Sequence, residues 1–265
     1  MTLRPTAGVN LQASYTWSKL LGRCGSGCST GSAPYTNPVD RKPDYTLQVG
    51  DRRHDFKTNG TFGLPLGPRQ LLLGKSSGVL ARIIEDWQMS WILNLGSGDP
   101  ANILAQNMLY ASGVPDIVGP FDTKAGKVQW KDGALAGNYF GNAFTKVRDP
   151  QCAGVAAGLQ SACTLNAVAD SSGNIVLRNP LPGTRGNLGQ NIIELAGTWT
   201  LDAAMSKGFK ISETKRLQFR MDALNIFNHP EPANPTLDIN GDTLFGNIAT
   251  KAGTRQFQAQ VRLEF

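Results

Sequence analysis

The sequence predicts an all-β chain of about six long antiparallel strands, running up and down in sequence order, an incomplete barrel wall that spans a membrane. Three observations predict it. From Phe257 to Phe265 every second residue is apolar (Phe257, Ala259, Val261, Leu263, Phe265), and those between are polar or charged. Successive strand side chains point to opposite faces, so this segment has one apolar and one wet face. Similar alternation recurs in five further runs of about ten residues; at ~3.3 Å per residue and ~45° tilt, each rises about 23 Å, the height of an outer-membrane apolar band. The 30 Gly and 15 Pro suit turns and long connections between many strands.

The strands are expected, in order, at residues 9–18, 54–64, 86–96, 198–209, 215–225 and 253–265. In the first, Val9, Leu11, Ala13, Tyr15 and Trp17 alternate with Asn10, Gln12, Ser14, Thr16 and Ser18. The second is weaker, with Phe56, Phe62 and Leu64 on one parity and Lys57, Asn59 and Thr61 on the other. Trp87, Met89, Trp91, Leu93 and Leu95 mark the third; Trp199, Leu201, Ala203 and Met205 mark the fourth. Leu217, Phe219, Met221 and Ala223 mark the fifth, where Asn225 shares the apolar parity and calls for a strand end or a bulge. A soluble β-sandwich also alternates, but its strands are commonly shorter and lack terminal tryptophans.

The connections are unequal. Ile211-Ser-Glu-Thr-Lys215 is a tight turn, whereas 19–53, 96–197 and 225–252 read as long loops. Short periplasmic turns and long external loops are the outer-membrane pattern, and a periplasmic C-terminus puts all three long loops outside. Only the linker 65–83 is then a longish periplasmic turn. Aromatic positions agree: Trp17, Phe56, Trp199, Phe227 and Phe257 fall at the outer ends, and Trp87, Phe209 and Phe265, with Leu64, at the inner ends.

Composition excludes some classes. No apolar run reaches the ~18 residues of a helical span. The net charge of +6 does not indicate nucleic acid, because the basic residues are scattered and gather no more closely than isolated pairs such as Arg52-Arg53. Met1-Thr-Leu-Arg-Pro-Thr6 has no apolar signal-peptide region, so the chain reads as a fragment of a longer exported protein. Six strands alone would enclose a backbone radius of only about 6 Å. Lys57, Asp202, Arg220, Asp222 and Arg262, the lumen-facing candidates, and Glu264 would be buried too dry in it. A wider, water-filled lumen with further strands upstream of Met1 is expected.

Cys24, Cys28, Cys152 and Cys163 all fall in the expected external loops. An even count in an oxidising setting suggests two local disulfides, Cys24–Cys28 and Cys152–Cys163. Zinc is the poorer alternative, since no His lies near. Gly67-Pro-Arg-Gln-Leu-Leu-Leu-Gly-Lys-Ser76 lacks the first Gly of a phosphate loop, Arg69 standing there, and reads as a turn. His54 and His229 have no nucleophile at a recognisable spacing. Asp238-Ile-Asn-Gly-Asp242 lacks the calcium-loop pattern and reads as a surface turn. No catalytic residue, cofactor or metal site is expected, and the chain is not read as an enzyme.

Several stretches resemble TonB-dependent outer-membrane receptors, specifically the Oar-like subgroup. They are Leu11-Gln-Ala-Ser-Tyr-Thr-Trp-Ser-Lys19, Asp51-Arg-Arg-His-Asp-Phe56, Asp86-Trp-Gln-Met-Ser-Trp91 with Gly96-Ser-Gly98, and Leu201-Asp-Ala-Ala-Met-Ser-Lys-Gly-Phe209. Leu217-Gln-Phe-Arg-Met-Asp-Ala-Leu-Asn-Ile-Phe-Asn-His-Pro230 and the strand from Arg255 to Phe265 complete the set. The resemblance covers residues 1–265 and implies the C-terminal part of a barrel of about 22 strands, plugged by a globular domain. It implies uptake of a large solute with energy delivered by TonB. It also implies partners: outer-membrane lipid, the rest of the barrel and its plug, TonB through the N-terminal part, and an insertion machinery that reads Phe265. Plug, TonB-interacting box and carboxypeptidase-regulatory-like domain are not in this sequence, so energised transport by this chain alone is not expected. A passive porin-like barrel and a secreted glycan-binding or adhesive β-protein built around 96–197 are the competing readings.

Overall fold

Six strands of nine to thirteen residues form one antiparallel meander in which every strand pairs with its neighbours in sequence. They are β1 (Val9–Trp17), β2 (His54–Gly63), β3 (Trp87–Gly96), β4 (Thr198–Lys210), β5 (Arg216–Leu224) and β6 (Gln256–Glu264). The computed structural model describes residues 2–3, 8–23, 37, 39–68, 70–106, 113–123, 128–130 and 136–265. Thr2–Leu3 adds a short pairing on the outer edge of β1. Among the described residues the sheet does not close: β6 and the Thr2–Leu3/β1 side are its two edges.

The register shows why alternation sets the two faces. Val9, Phe62, Met89, Met205, Met221 and Ala259 oppose one another in a continuous row across all six strands. One residue along, the row is Asn10, Thr61, Ser90, Ala204, Asp222 and Gln258. A slip of one residue in any pair would exchange these faces, so the pattern pins the register. Apolar side chains on that face stay open: Trp17 66%, Phe257 62% and Val261 65% exposed. A patch of this extent marks a surface that meets lipid or another apolar partner.

The terminal strand begins at Gln256, later than the expected 253, because Lys251–Ala252 pair instead with Glu231–Pro232. Gly253, at φ +83°, turns the chain between the two pairings. Asn225 marks a strand end: it lies just past Leu224 with φ +47°. The 65–83 linker is more than a turn, since it carries a short helix α1 (Gly78–Ile84). The tight turn is as expected, closed by Ile211 N–H and Ser212 N–H donating to Lys215 O at 2.9 and 3.2 Å.

At the other end, the segments expected to be loops fold into a body with a dry core. Ile103, Val114, Phe140, Val168, Val176, Leu177, Ile193, Ile239, Phe245 and Ile248 are buried there, and Phe140 stacks on Phe245 with centroids 5.1 Å apart. The backbone is organised by short pairings. Phe144–Arg148, Asn166–Asp170, Ile175–Arg178 and Asp116–Ile117 make a four-stranded sheet, and Gln129–Trp130, Gly137–Asn138 and Asn247–Ile248 a three-stranded one. The core draws on the β3–β4 and β5–β6 connections together. The β1–β2 connection is tied on through Thr46 Oγ1 donating to Gln190 O (2.7 Å) and Asn191 Nδ2 donating to Leu47 O.

Candidate functional site

Two features bear on function: the polar face of the sheet, and the mouth where that sheet meets the folded connections. Strand pleating puts Lys57, Asp202, Arg220, Asp222 and Arg262 on the face opposite the apolar row. Phe219 opposes Val261 and Lys207, while its neighbour Arg220 opposes Gln260 and Ser206. Arg220 and Asp222 on β5 and Arg262 on β6 lie side by side, with Asp202 on adjacent β4. Lys57 stands apart on β2, with β3 between it and β4.

The charges on this face are paired along strands. Lys57 Nζ lies 2.9 Å from Asp55 Oδ2, Arg220 Nη2 2.8 Å from Asp222 Oδ1, and Arg262 Nε 3.6 Å from Glu264 Oε1. These groups are partly exposed, so each pair contributes well under ~1 kcal/mol and needs water nearby. Asp202 instead accepts from Asn225 N–H at 2.8 Å. One cation breaks the division of faces. Lys207 shares the apolar parity with Trp87, Met205 and Phe219, yet is 2% exposed. Its Nζ donates to Glu85 O and sits 4.8 Å from the Phe209 ring centroid. Alternation alone gave no warning of it.

At the mouth, two motifs singled out in the sequence act as staples. In Asp51-Arg-Arg-His54, Asp51 is buried and accepts Leu20 N–H, and Arg52 Nη1 donates to Ser97 O at 3.0 Å. Ser97 Oγ in turn accepts His54 N–H at 3.1 Å, and the His54 ring Nδ1 meets Tyr15 Oη at 2.8 Å. In Leu224-Asn-Ile-Phe-Asn-His-Pro230, Asn225 Nδ2 donates to His229 O (2.8 Å) and to Gly253 O, and its Oδ1 accepts His229 N–H at 3.0 Å. The His229 ring then rests 4.4 Å from Trp199. Each histidine ring thus lies against an aromatic side chain, His54 against Tyr15 and His229 against Trp199.

Between the first of these staples and the folded body lies a cavity of about 420 Å³, bordered by Asp51, Arg53, Tyr139, Asn191 and Glu194. Arg53 and Glu194 are exposed, while Asp51 and Asn191 are buried, so both signs of charge and an amide line one space. The Tyr139 hydroxyl donates to Glu194 O, and burial, then the Glu194 charge, pushes its pKa above the ordinary value. Asn191 holds φ +52°, and its Oδ1 is buried without a hydrogen-bond partner. Sequence patterning did not find this cavity, whose lining joins the β1–β2 connection to separate parts of the β3–β4 connection.

A family model described as "outer membrane beta barrel domain" matches residues 1–258. The chain belongs to this family. It is an outer-membrane barrel protein, and its place is the cell outer membrane. No curated protein and no solved structure matches it. As an outer-membrane barrel wall, the sheet needs one lipid-facing surface, and the apolar row supplies it.

The remaining expected sites are placed as follows. Cys152 and Cys163 form a disulfide in the folded body. Cys24 and Cys28 lie outside the described residues. The Asp238–Asp242 segment is a turn but not a surface one, because Ile239 packs in the core and Asn240 is buried beside Asn179; Asp238 Oδ1 accepts the N–H groups of Asn240 (3.0 Å) and Gln106 (3.2 Å). Phe265 follows β6 and is 92% exposed.

Proposed function

We propose that this chain is the C-terminal part of a TonB-dependent receptor barrel of the Oar-like kind, which admits a large extracellular solute and performs no catalysis. The observation that carries the reading is the mouth: a folded body with its own core and a polar cavity, stapled to the end of a wall whose inner face is charged and wet. A passive pore needs no such body. The tight-turn end lies in the periplasm and the folded body outside, as short turns and long loops are disposed in this class. The polar face lines an aqueous lumen completed by further strands, since open edges cannot face lipid without leaving backbone groups unpaired. The rest of the barrel, its plug, TonB and a large solute are the partners this requires.

Reading the genomic frame upstream of Met1 tests the proposal. A signal peptide, a plug domain and further alternating strands are expected in frame. A start site at Met1 with none of these would overturn it. A solute-flux assay separates the passive reading: the full-length protein of that reading frame, shown to be inserted in vesicles, should release no small sugar, whereas a passive porin-like barrel would.

A further inference from the structure

The segment joining β2 to β3 is unusually apolar for a connection. Leu71, Leu72 and Leu73 are 86, 52 and 59% exposed, and on α1 Val79, Leu80 and Ile83 are 76, 57 and 52% exposed. Connections normally expose polar residues. This one is nevertheless fixed: Gly67 N–H donates to Leu72 O (3.1 Å), Leu72 N–H to Pro65 O (3.0 Å), and Ala81 is buried beneath the helix.

Two hydrogen bonds tie the C-terminal end of α1 to the apolar face of the sheet. Trp87 Nε1 donates to Ile83 O at 3.0 Å, and the buried Lys207 donates to Glu85 O. Trp87 and Lys207 oppose each other on that face. The exposed leucines are thus continuous with the surface that meets lipid, at its tight-turn end. Beside them Arg82 on α1 and Lys215 and Glu213 of the tight turn border one cleft of about 540 Å³ at the strand ends, which Lys210, Arg216 and Glu264 of the polar face close from the other side. Arg82 and Lys215 against Glu213 leave a net positive rim at headgroup height.

We propose that residues 71–84 form an interfacial foot seated in the periplasmic phospholipid leaflet, its apolar side chains among the upper acyl chains and its basic rim on anionic headgroups. The inference rests on the orientation given under Proposed function. An apolar patch beside a cationic rim is the composition that binds a membrane surface, and anionic lipid strengthens such binding. Lys207 is the tether: its stem crosses the apolar face and its charge is held by a backbone carbonyl at the foot, so no bare cation meets hydrocarbon.

The test uses the protein reconstituted in vesicles of phosphatidylethanolamine with or without phosphatidylglycerol. Leu80→Trp adds emission over the parent, and Ile83→Trp serves as a second reporter should the first fold poorly. Lipids brominated near the headgroup should quench the added emission, and aqueous iodide should not; phosphatidylglycerol should raise the quenching by about threefold. Lys215→Glu with Arg82→Glu should abolish that rise. Added emission quenched by iodide and not by brominated lipid would overturn the foot, provided deep-brominated lipid still quenches the native Trp91 and Trp199. If those are unquenched too, the orientation of the apolar face falls with it. Equal quenching with and without phosphatidylglycerol would overturn the headgroup contact.

Discussion

The indole of Trp91 lies directly over the backbone of Gly60, its register partner on β2: a Cβ on Gly60 would stand 2.3 Å from Trp91 Cη2. Phe62, two residues along, meets the same indole edge-on with centroids 5.9 Å apart. Gly60→Ala should therefore destabilise the inserted sheet by about 1–3 kcal/mol, the range for overpacking. Trp91→Ala in the same chain should remove part of that penalty; the remainder persists because the Asn10 carbonyl oxygen would also stand 2.6 Å from the new Cβ. Urea unfolding of the four chains of this cycle in vesicles measures the coupling; independent, additive effects would contradict the contact.

Asn225 holds the mouth through three side-chain hydrogen bonds in a left-handed backbone conformation. Asn225→Gly loses the bonds, at roughly 1 kcal/mol each net, while relieving the backbone. Asn225→Ala loses the same bonds and adds ~1 kcal/mol of left-handed strain. The expected order of resistance to protease between residues 225 and 253 is parent, then Asn225→Gly, then Asn225→Ala. Equal cleavage in all three would show that the hub is dispensable.

Asp170 closes the turn between two strands of the folded body, accepting Ser172 N–H and Asn174 N–H, both at 2.9 Å. These bonds, led by that from Asn174, hold its carboxyl below the ordinary 3.8. A carboxyl with a depressed folded value stabilises fully above its unfolded value and loses that contribution as pH falls through the folded one. Comparing the parent with Asp170→Asn, the difference in unfolding midpoint should be constant above about pH 5 and shrink as pH falls through 3.8 and below. A difference that persists unchanged at pH 2 would refute the assignment.

Phe265 should matter for assembly more than for stability. Burying one Phe against lipid is worth only ~2 kcal/mol, too little to unfold a closed hydrogen-bonded barrel. Deleting it from the full-length barrel protein should lower the amount inserted, while inserted molecules keep the folded body at their mouth. Surface labelling against total protein measures this, and an unchanged yield would count against a role in recognition by the insertion machinery.

Long strands were readable in this sequence because each repeats a two-residue period over some ten positions, and because lipid demands that period without exception on one face. Hence β1 to β5 begin and end within a residue or two of expectation. The same logic placed Lys57, Asp202, Arg220, Asp222 and Arg262 on one face. It failed at Lys207, where a lysine on the apolar parity is explained only by a carbonyl contributed from the far end of a linker. The mouth was opaque for a different reason. Its strands are two to five residues long, too short for a period, and its core joins Ile103 to Phe245 across most of the chain. Helix α1, seven residues opening on Gly78, carries too few turns to announce itself.

The ion pairs of the polar face join residues two apart on the same strand: 55 with 57, 220 with 222, 262 with 264. Each of those strands thus brings its own counter-ion. The paired part of the polar face is therefore a mosaic of local dipoles instead of a broad field of one sign, and salt and water flatten it within about 8–10 Å.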